Sequence, residues 1–392
     1  MHIAILGRQP AISIAELEKV FGGSVITPLS NEAAMVDSDY FDIQKLGGSP
    51  KAGLFIQELL FDDWHKVSQK LVQHYASKWS KFEGKITLGI SAYGFKVDNR
   101  EVQKTGIILK QKLKKSDISL RLIPNPEPAL NSAVSHHNKL GLSPNKIELL
   151  IIRTNNGNTV IAESTGAQNI TAIAKRDQGR PKRDAFVGML PPKLAQIMIN
   201  LATITPANDM NMVVLDPFCG TGVVLQEAAL MGYNVYGTDL SEKMIRYSRD
   251  NLNWLADFPN IRKFDWYLHE GDAMDTKWRQ PINAVVSETY LGQPFSAPPS
   301  PTKLEEVVKN CDHIITEFLK NLSGQIKPGT PICIAVPAWR DTDGNFTHLP
   351  LIATIARLGY KPHEFMNISQ NDLLYYRENQ VVARRLLVLT RV

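Results

Sequence analysis

The stretch MVVLDPFCGTGVVLQEAALMG, residues 212–232, decides how the chain is read. A short apolar run of strand length ends at Asp216, a loop containing Gly220 and Gly222 follows, and an apolar helical segment begins at once. Glycines in these places let the backbone turn sharply and let a ligand approach the main chain, while the helix start offers unpaired N–H groups. A strand, loop and helix in this order bind a nucleotide-like molecule. A dinucleotide loop would carry a third glycine three residues after Gly222, where Leu225 stands. That substitution argues against a pyrophosphate.

A cationic, phosphate-free cofactor explains the acid better, because the Asp216 carboxylate can face the amino group and positive charge of S-adenosylmethionine. Asp239 closes the next strand 23 residues later, where its carboxylate can accept from both ribose hydroxyls. Asp272, in HEGDAMD, is placed to reach the adenine, and Phe218 joins the cofactor-facing set with Gly220 and Gly222. Working outward, strands are expected at MVVLD (212–216), YNVYGTD (233–239), NAVVS (283–287) and PICIAV (331–336). Between the last two, Leu304, Val307, Val308, Cys311, Ile314, Ile315, Phe318 and Leu322 form one stripe of a core-facing helix over 303–322. Strands alternating with amphipathic helices predict a parallel α/β sheet.

The 392 residues exceed one ordinary domain. Hydrophobic residues at 43% and charged residues at 21% argue against global disorder. Three scattered cysteines, Cys219, Cys311 and Cys333, supply neither a disulfide framework nor a zinc cluster, and Cys219 reads as a packing residue. His136 and His137 lack acidic or thiol partners at ligand spacing, so no metal is expected. Arg8 interrupts the opening apolar run and no segment reaches membrane-spanning length, which predicts a cytoplasmic protein.

Charge is unevenly spread. Residues 1–79 carry 7 basic and 9 acidic side chains, residues 80–184 carry 18 and 9, and residues 185–392 carry 19 and 21. A basic middle third between near-neutral flanks is the expected footprint of a nucleic-acid-binding module. The opening (Ile3–Leu6, Val25–Pro28, a helix from Ser13 to Phe21 with a Ser13/Glu16 capping box) reads as an α+β unit over 1–78. Strands at 86–95, 120–124 and 146–153 and a basic helix at 103–115 make a second α+β module over 79–175. RDQGRPKRDA then has linker composition, so a basic linker is expected over 176–186, with Arg176, Arg180, Lys182 and Arg183 following a phosphate backbone. The α/β domain occupies 187–392.

DPFCGTG, YGTD and GDAMD, in this order, resemble the cofactor motifs of Rossmann-fold methyltransferases, and VGMLPPKLAQIMINLA (187–202) resembles the upstream helix of their amino-methylating branch. With the opening ILGRQPAISIAELEKVFG, the basic middle module and the closing YYRENQVVARRLLVLTRV, the chain resembles the THUMP-domain tRNA guanosine N2-methyltransferases. The resemblance implies a ferredoxin-like N-terminal domain and a THUMP-like domain that grip tRNA, and a C-terminal Rossmann-like domain that methylates guanosine 10. It also admits a small activating subunit, which some members need.

One motif departs from that family. Where amino-methylating enzymes carry Asp or Asn followed by Pro-Pro-Tyr, this chain has Ser287, Glu288, Thr289 and Tyr290. The side-chain oxygen of the usual motif accepts amino hydrogens and frees the nitrogen lone pair. Ser287 occupies the acid's place with a poorer acceptor, Glu288 is the natural substitute, and Tyr290 keeps a stacking role toward the base. Losing two prolines is expected to loosen the backbone. Pro298, Pro299 and Pro301 suit either a loop over the base pocket or a plain connector. Two other readings stay open, an amino-methyltransferase acting on DNA or rRNA and a non-catalytic tRNA-binding relative.

Overall fold

The computed structural model describes all residues except 185–188, 204–210, 259–260 and 280. The end of the expected linker (185–186) and the first residues of the upstream segment (187–188) therefore lie outside the described residues. The chain divides into two units, Met1–Leu17 with Phe21–Ala172, and Glu18–Val20 with Ile173–Val392.

The first unit is built on an eight-stranded sheet of β1 (His2–Ile5), β2 (Ile26–Pro28), β3 (Ala33–Val36), β4 (Lys51–Leu59), β5 (Ile86–Tyr93), β6 (Leu120–Leu122), β7 (Lys146–Arg153) and β8 (Thr159–Ala167). Their order is β2-β3-β1-β4-β8-β7-β5-β6. The sheet is continuous across residue 78, because β4 pairs antiparallel with β8. A buried ion pair crosses the same boundary: Lys51 of β4 meets Glu148 of β7, and Ser91 of β5 donates to that carboxylate at 2.6 Å. Helix α1 (Pro10–Phe21) starts three residues before the expected Ser13. Proline at the first helical position has the right φ and no N–H to lose, so Pro10 sets the start. Ser13 and Glu16 thus form no capping box: Ser13 Oγ donates to the Gly48 carbonyl at 2.7 Å, and Glu16 accepts the N–H groups of Gly47 and Gly48. Helices α2 (Trp64–Lys78), α3 (Asn99–Lys114) and α4 (Ser132–His137) complete this unit.

Helix α5 (Ile170–Gln178) runs into the stretch expected as linker. The second unit continues with α6 (Pro192–Ala202) and a sheet of β9 (Val213–Asp216), β10 (Asn234–Asp239), β11 (Trp266–Glu270), β12 (Ala284–Glu288), β13 (Pro331–Arg340), β14 (Phe346–His348), β15 (Tyr360–Pro362), β16 (Leu374–Tyr375) and β17 (Val382–Arg391). The main path is β11-β10-β9-β12-β13-β17-β15, with the first five strands parallel and β17 antiparallel to both neighbours. The predicted α/β class and its four strands are present. Helix α7 (Val223–Leu230) follows the glycine loop, α8 (Glu242–Ala256) follows β10, and α9 (Pro301–Ser323) buries Val307, Cys311, Ile315, Phe318, Leu319 and Leu322. Pro301 opens α9 behind the N-cap Ser300, so that proline begins a helix.

Helix α7 is buried almost throughout, Glu227 included. Burial raises the pKa of Glu227, and the Arg176 guanidinium opposes that shift. Arg176 grips the carboxylate bidentately, Nε to Oε1 at 2.7 Å and Nη2 to Oε2 at 3.0 Å. Removing one partner of a buried pair strands the other charge, which typically costs ~3–5 kcal/mol. Arg176→Ala should lower the urea midpoint accordingly, and the double variant Arg176→Met/Glu227→Leu should recover most of the loss.

Candidate active site

Three acids sit at the carboxyl ends of neighbouring parallel strands. Asp216 ends β9, Asp239 ends β10, and Asp272 lies just past β11. Glu288 ends β12, on the other side of β9. The connections from β9 and β12 lead to opposite sides of the sheet order, so the crevice beyond these strands is the switch point where open α/β sheets bind ligands.

Asp216 is 2% exposed, and its Oδ1 accepts from Ser287 Oγ at 2.6 Å and from Phe218 N at 3.2 Å. Burial pushes its carboxyl up to about 7, against the pull of those two donors. Gly220 and Gly222 hold φ of +50° and +78°, the left-handed region that a side chain resists. At Gly220 the space where a Cβ would stand is open within 4 Å, whereas at Gly222 a Cβ would lie 2.8 Å from Ser248 Oγ. The first glycine leaves room for a ligand and the second lets α8 close on the loop.

Other residues hold that loop. Asp239 accepts the Gly220 N–H and the Ser241 N–H, each at 2.9 Å, and burial raises its pKa against these donors. Each of its oxygens retains a second lone pair. Ser248 Oγ donates to the Gly220 carbonyl at 2.8 Å. Asn251 accepts the Lys182 N–H and donates to the carbonyls of Lys182 and Thr221, all at 2.9 Å. Asp272 accepts the Met274 N–H at 2.9 Å. Phe218 packs edge-on against Phe318, with ring centroids 5.1 Å apart. Cys219 is buried, which pushes its thiol well above the usual range, as suits a packing residue. Among the described residues, no group of three or more His, Cys, Asp or Glu could hold a metal ion.

At the departing motif the four residues separate. Ser287 is fully buried and its hydroxyl is given to Asp216. Glu288 is partly exposed and pairs with Arg384 of β17. The backbone here is not loose as expected: Thr289 donates through both N and Oγ1 to the Ala335 carbonyl, each at 3.0 Å, and replaces proline stiffness with two hydrogen bonds. Tyr290 is 41% exposed. Two residues on, Gly292 (φ +80°) lies so close to α9 that a Cβ would meet Val307 at 2.9 Å.

The basic stretch is divided too. Arg176 is committed to Glu227, and Arg180 is 3% exposed and donates to the Met189 sulfur. Lys182 lies 3.6 Å from Asp250 with 41% of its side chain exposed, and Arg183 is exposed. Sequence reasoning missed Ser248, Asn251, Glu227 and Arg384. Only Glu227 left a signal, as an acid among apolar residues in VVLQEAAL.

Five parallel strands extended by an antiparallel strand and a final edge strand, with an acid and two left-handed glycines at the switch point, make a Rossmann-like unit. A family model described as a DNA methylase matches residues 62–250, and one described as a methyltransferase domain matches 208–366. By sequence, the chain is similar to proteins described as tRNA (guanine(10)-N2)-dimethyltransferases. The chain is 34% identical over 182 residues to a tRNA (guanine(10)-N2)-dimethyltransferase of Methanothermobacter thermautotrophicus, 45% of this chain and 48% of that protein. It is 45% identical over 108 residues to the protein of the same description from Pyrococcus abyssi, 28% of this chain and 26% of that one. The aligned stretches thus span about half or less of these relatives' lengths. Among solved structures, TrmN from Thermus thermophilus matches with a TM-score of 0.53 at 15% identity, over 100% of this chain and 99% of that one. SMU.472, described as a candidate methyltransferase complexed with SAH, matches at 0.50 and 12% identity over 99% and 97%. These two are likenesses of fold. Among the described residues, no helix is long and apolar enough to cross a membrane.

A carboxyl held near 7 lies above its ordinary value near 4, so the folded chain binds that proton more tightly than the unfolded chain. Its contribution to stability is full below about pH 4, declines as pH rises and is lost above about 7, with ~4 kcal/mol as the ceiling. Urea unfolding across this range should show stability falling with rising pH, and Asp216→Asn should flatten that dependence.

Proposed function

We propose that the chain is a cytoplasmic, S-adenosylmethionine-dependent tRNA methyltransferase that modifies the exocyclic N2 of guanosine, with guanosine 10 as the target. The observation that carries this reading is the placement of Glu288, a partly exposed carboxylate at the end of β12, beside the strand that carries the Asp216 loop. The relatives' descriptions favour tRNA and guanine over DNA or rRNA.

The residues present fit the cofactor. Asp216 supplies a carboxylate for a cationic group, Gly220 leaves open space, and Asp239 keeps lone pairs for hydroxyls. Phe218, Gly222 and Asp272 complete the set assigned to it. When bound, S-adenosylmethionine supplies the electrophilic methyl group. Glu288 accepts hydrogens of the guanine 2-amino group, which directs the nitrogen lone pair outward, and takes the surplus proton after transfer. Tyr290 offers an exposed ring for stacking on the base. Ser287 acts through Asp216, which it orients by a 2.6 Å hydrogen bond.

For RNA, the first unit offers an open groove of about 620 Å³ lined by Lys85, Lys110, Lys114 and Arg121. All four are exposed and, among the described residues, none is in an ion pair, so their charge remains for phosphates. We assign this groove to the THUMP-like module over 79–175. In the basic stretch, Lys182 and Arg183 face outward for phosphate contact, while Arg176 and Arg180 hold the segment in place.

Purified protein, labelled S-adenosylmethionine and an unmodified tRNA transcript, followed by digestion to nucleosides and mass separation, should yield N2-methylguanosine. Absence of any methylated guanosine, with or without added cell extract to supply an activating subunit, would overturn the reading. Reversing Lys110, Lys114 and Arg121 to Glu should weaken tRNA binding at least tenfold and flatten its salt dependence. Cofactor affinity measured by calorimetry should be unchanged in that variant.

A further inference from the structure

Glu288 does not stand alone at the end of β12. The Nε–H of Arg384 donates to Glu288 Oε1, from a position in β17 opposite Pro337 of β13 and Tyr375 of β16. Among the described residues this is the only hydrogen bond of either side chain, and they keep 12% and 18% of their surface accessible. A guanidinium has five N–H donors and a carboxylate about four acceptor sites, so most of the capacity of both groups is unspent.

Glu288 and Arg384 therefore present acceptors and donors side by side, at the strand end where the base is proposed to enter. The Watson–Crick edge of guanine shows the complementary order, with donors at the 2-amino group and N1–H and an acceptor at O6. Adenine has a donor in place of O6 and a lone pair at N1, which would face the carboxylate unfavourably. We propose that Arg384 is the specificity-determining residue of the site, donating to guanine O6 while Glu288 accepts from N1–H and the 2-amino group. This inference rests on the guanosine reading above and adds the residue that enforces it. A site built to hydrogen-bond a particular polar group rejects an analogue that lacks it by ~10⁴-fold or more, because buried partners are then left unmatched.

The test uses tRNA assembled with either guanine or 2,6-diaminopurine at the target position. The analogue keeps the 2-amino group, replaces O6 by an amino group and lacks N1–H. The wild-type enzyme should prefer guanine strongly, as read by the ratio of kcat/KM values. Arg384→Gln, whose side chain can accept as well as donate, should lower kcat/KM on guanine ~100-fold and shrink the ratio by a similar factor. Arg384→Lys keeps the cation without the planar fork and should give an intermediate ratio, which also covers a poorly folding Gln variant. A purely structural role would reduce both substrates together. Unchanged ratios in both variants, with wild-type transfer to guanine intact, would overturn this proposal alone. Wild-type protein that transfers nothing to guanine would overturn the functional reading and this proposal with it.

Discussion

The second unit is organised around a carboxyl group that is almost entirely buried. Asp216 ends the strand at which the sheet order turns back, and a buried charge there would be costly without partners. Two donors are supplied, one from the loop that Asp216 begins and one from the neighbouring strand. The glycine loop, the β9–β12 junction and the protonation state of the site are thereby linked through one side chain. A second carboxylate at position 287 would have met Asp216 across the strands, and like charges that close cannot both remain ionised. Serine at 287 removes the conflict. The acid stands one residue on, at 288, where Arg384 pairs with it.

On the proposed function, the altered motif is a rearrangement of the same parts. An acceptor remains at the strand end, moved by one residue and paired with a guanidinium. The stiffness usually given by proline is replaced by the two hydrogen bonds of Thr289 to Ala335 and by the tight seating of Gly292 on α9. Tyr290 is thus carried on a short segment fixed at both ends.

The parts legible in the sequence were those with a strong local signal. Short apolar runs, two of them ending in acids, gave β9, β10, β12 and β13, and the stripe on α9 gave its buried face, because period and composition report directly on burial. The acids at the ends of β9 and β10 and the two left-handed glycines, which the proposal assigns to the cofactor, also stood out in the sequence. What escaped depends on pairing between distant segments. Arg384 meets Glu288 across 96 residues of chain, and Arg176 meets Glu227 across 51, so neither partnership leaves a local pattern. The Ser13/Glu16 spacing misled because the same two side chains serve a loop more than thirty residues away, while Pro10 had already set the helix start. Composition likewise marked residues 176–185 as linker, although half of its named cations lie against apolar or acidic interior groups.

One modest side chain has a consequence for how the second unit opens. Asn251 joins the backbone at Lys182 to the backbone at Thr221 by three hydrogen bonds, with both segments leaning on the same turn of α8. Both segments are tied to the same side chain. The glycine loop and the segment before it therefore share one anchor on α8, so that local opening of either depends on the same turn of that helix.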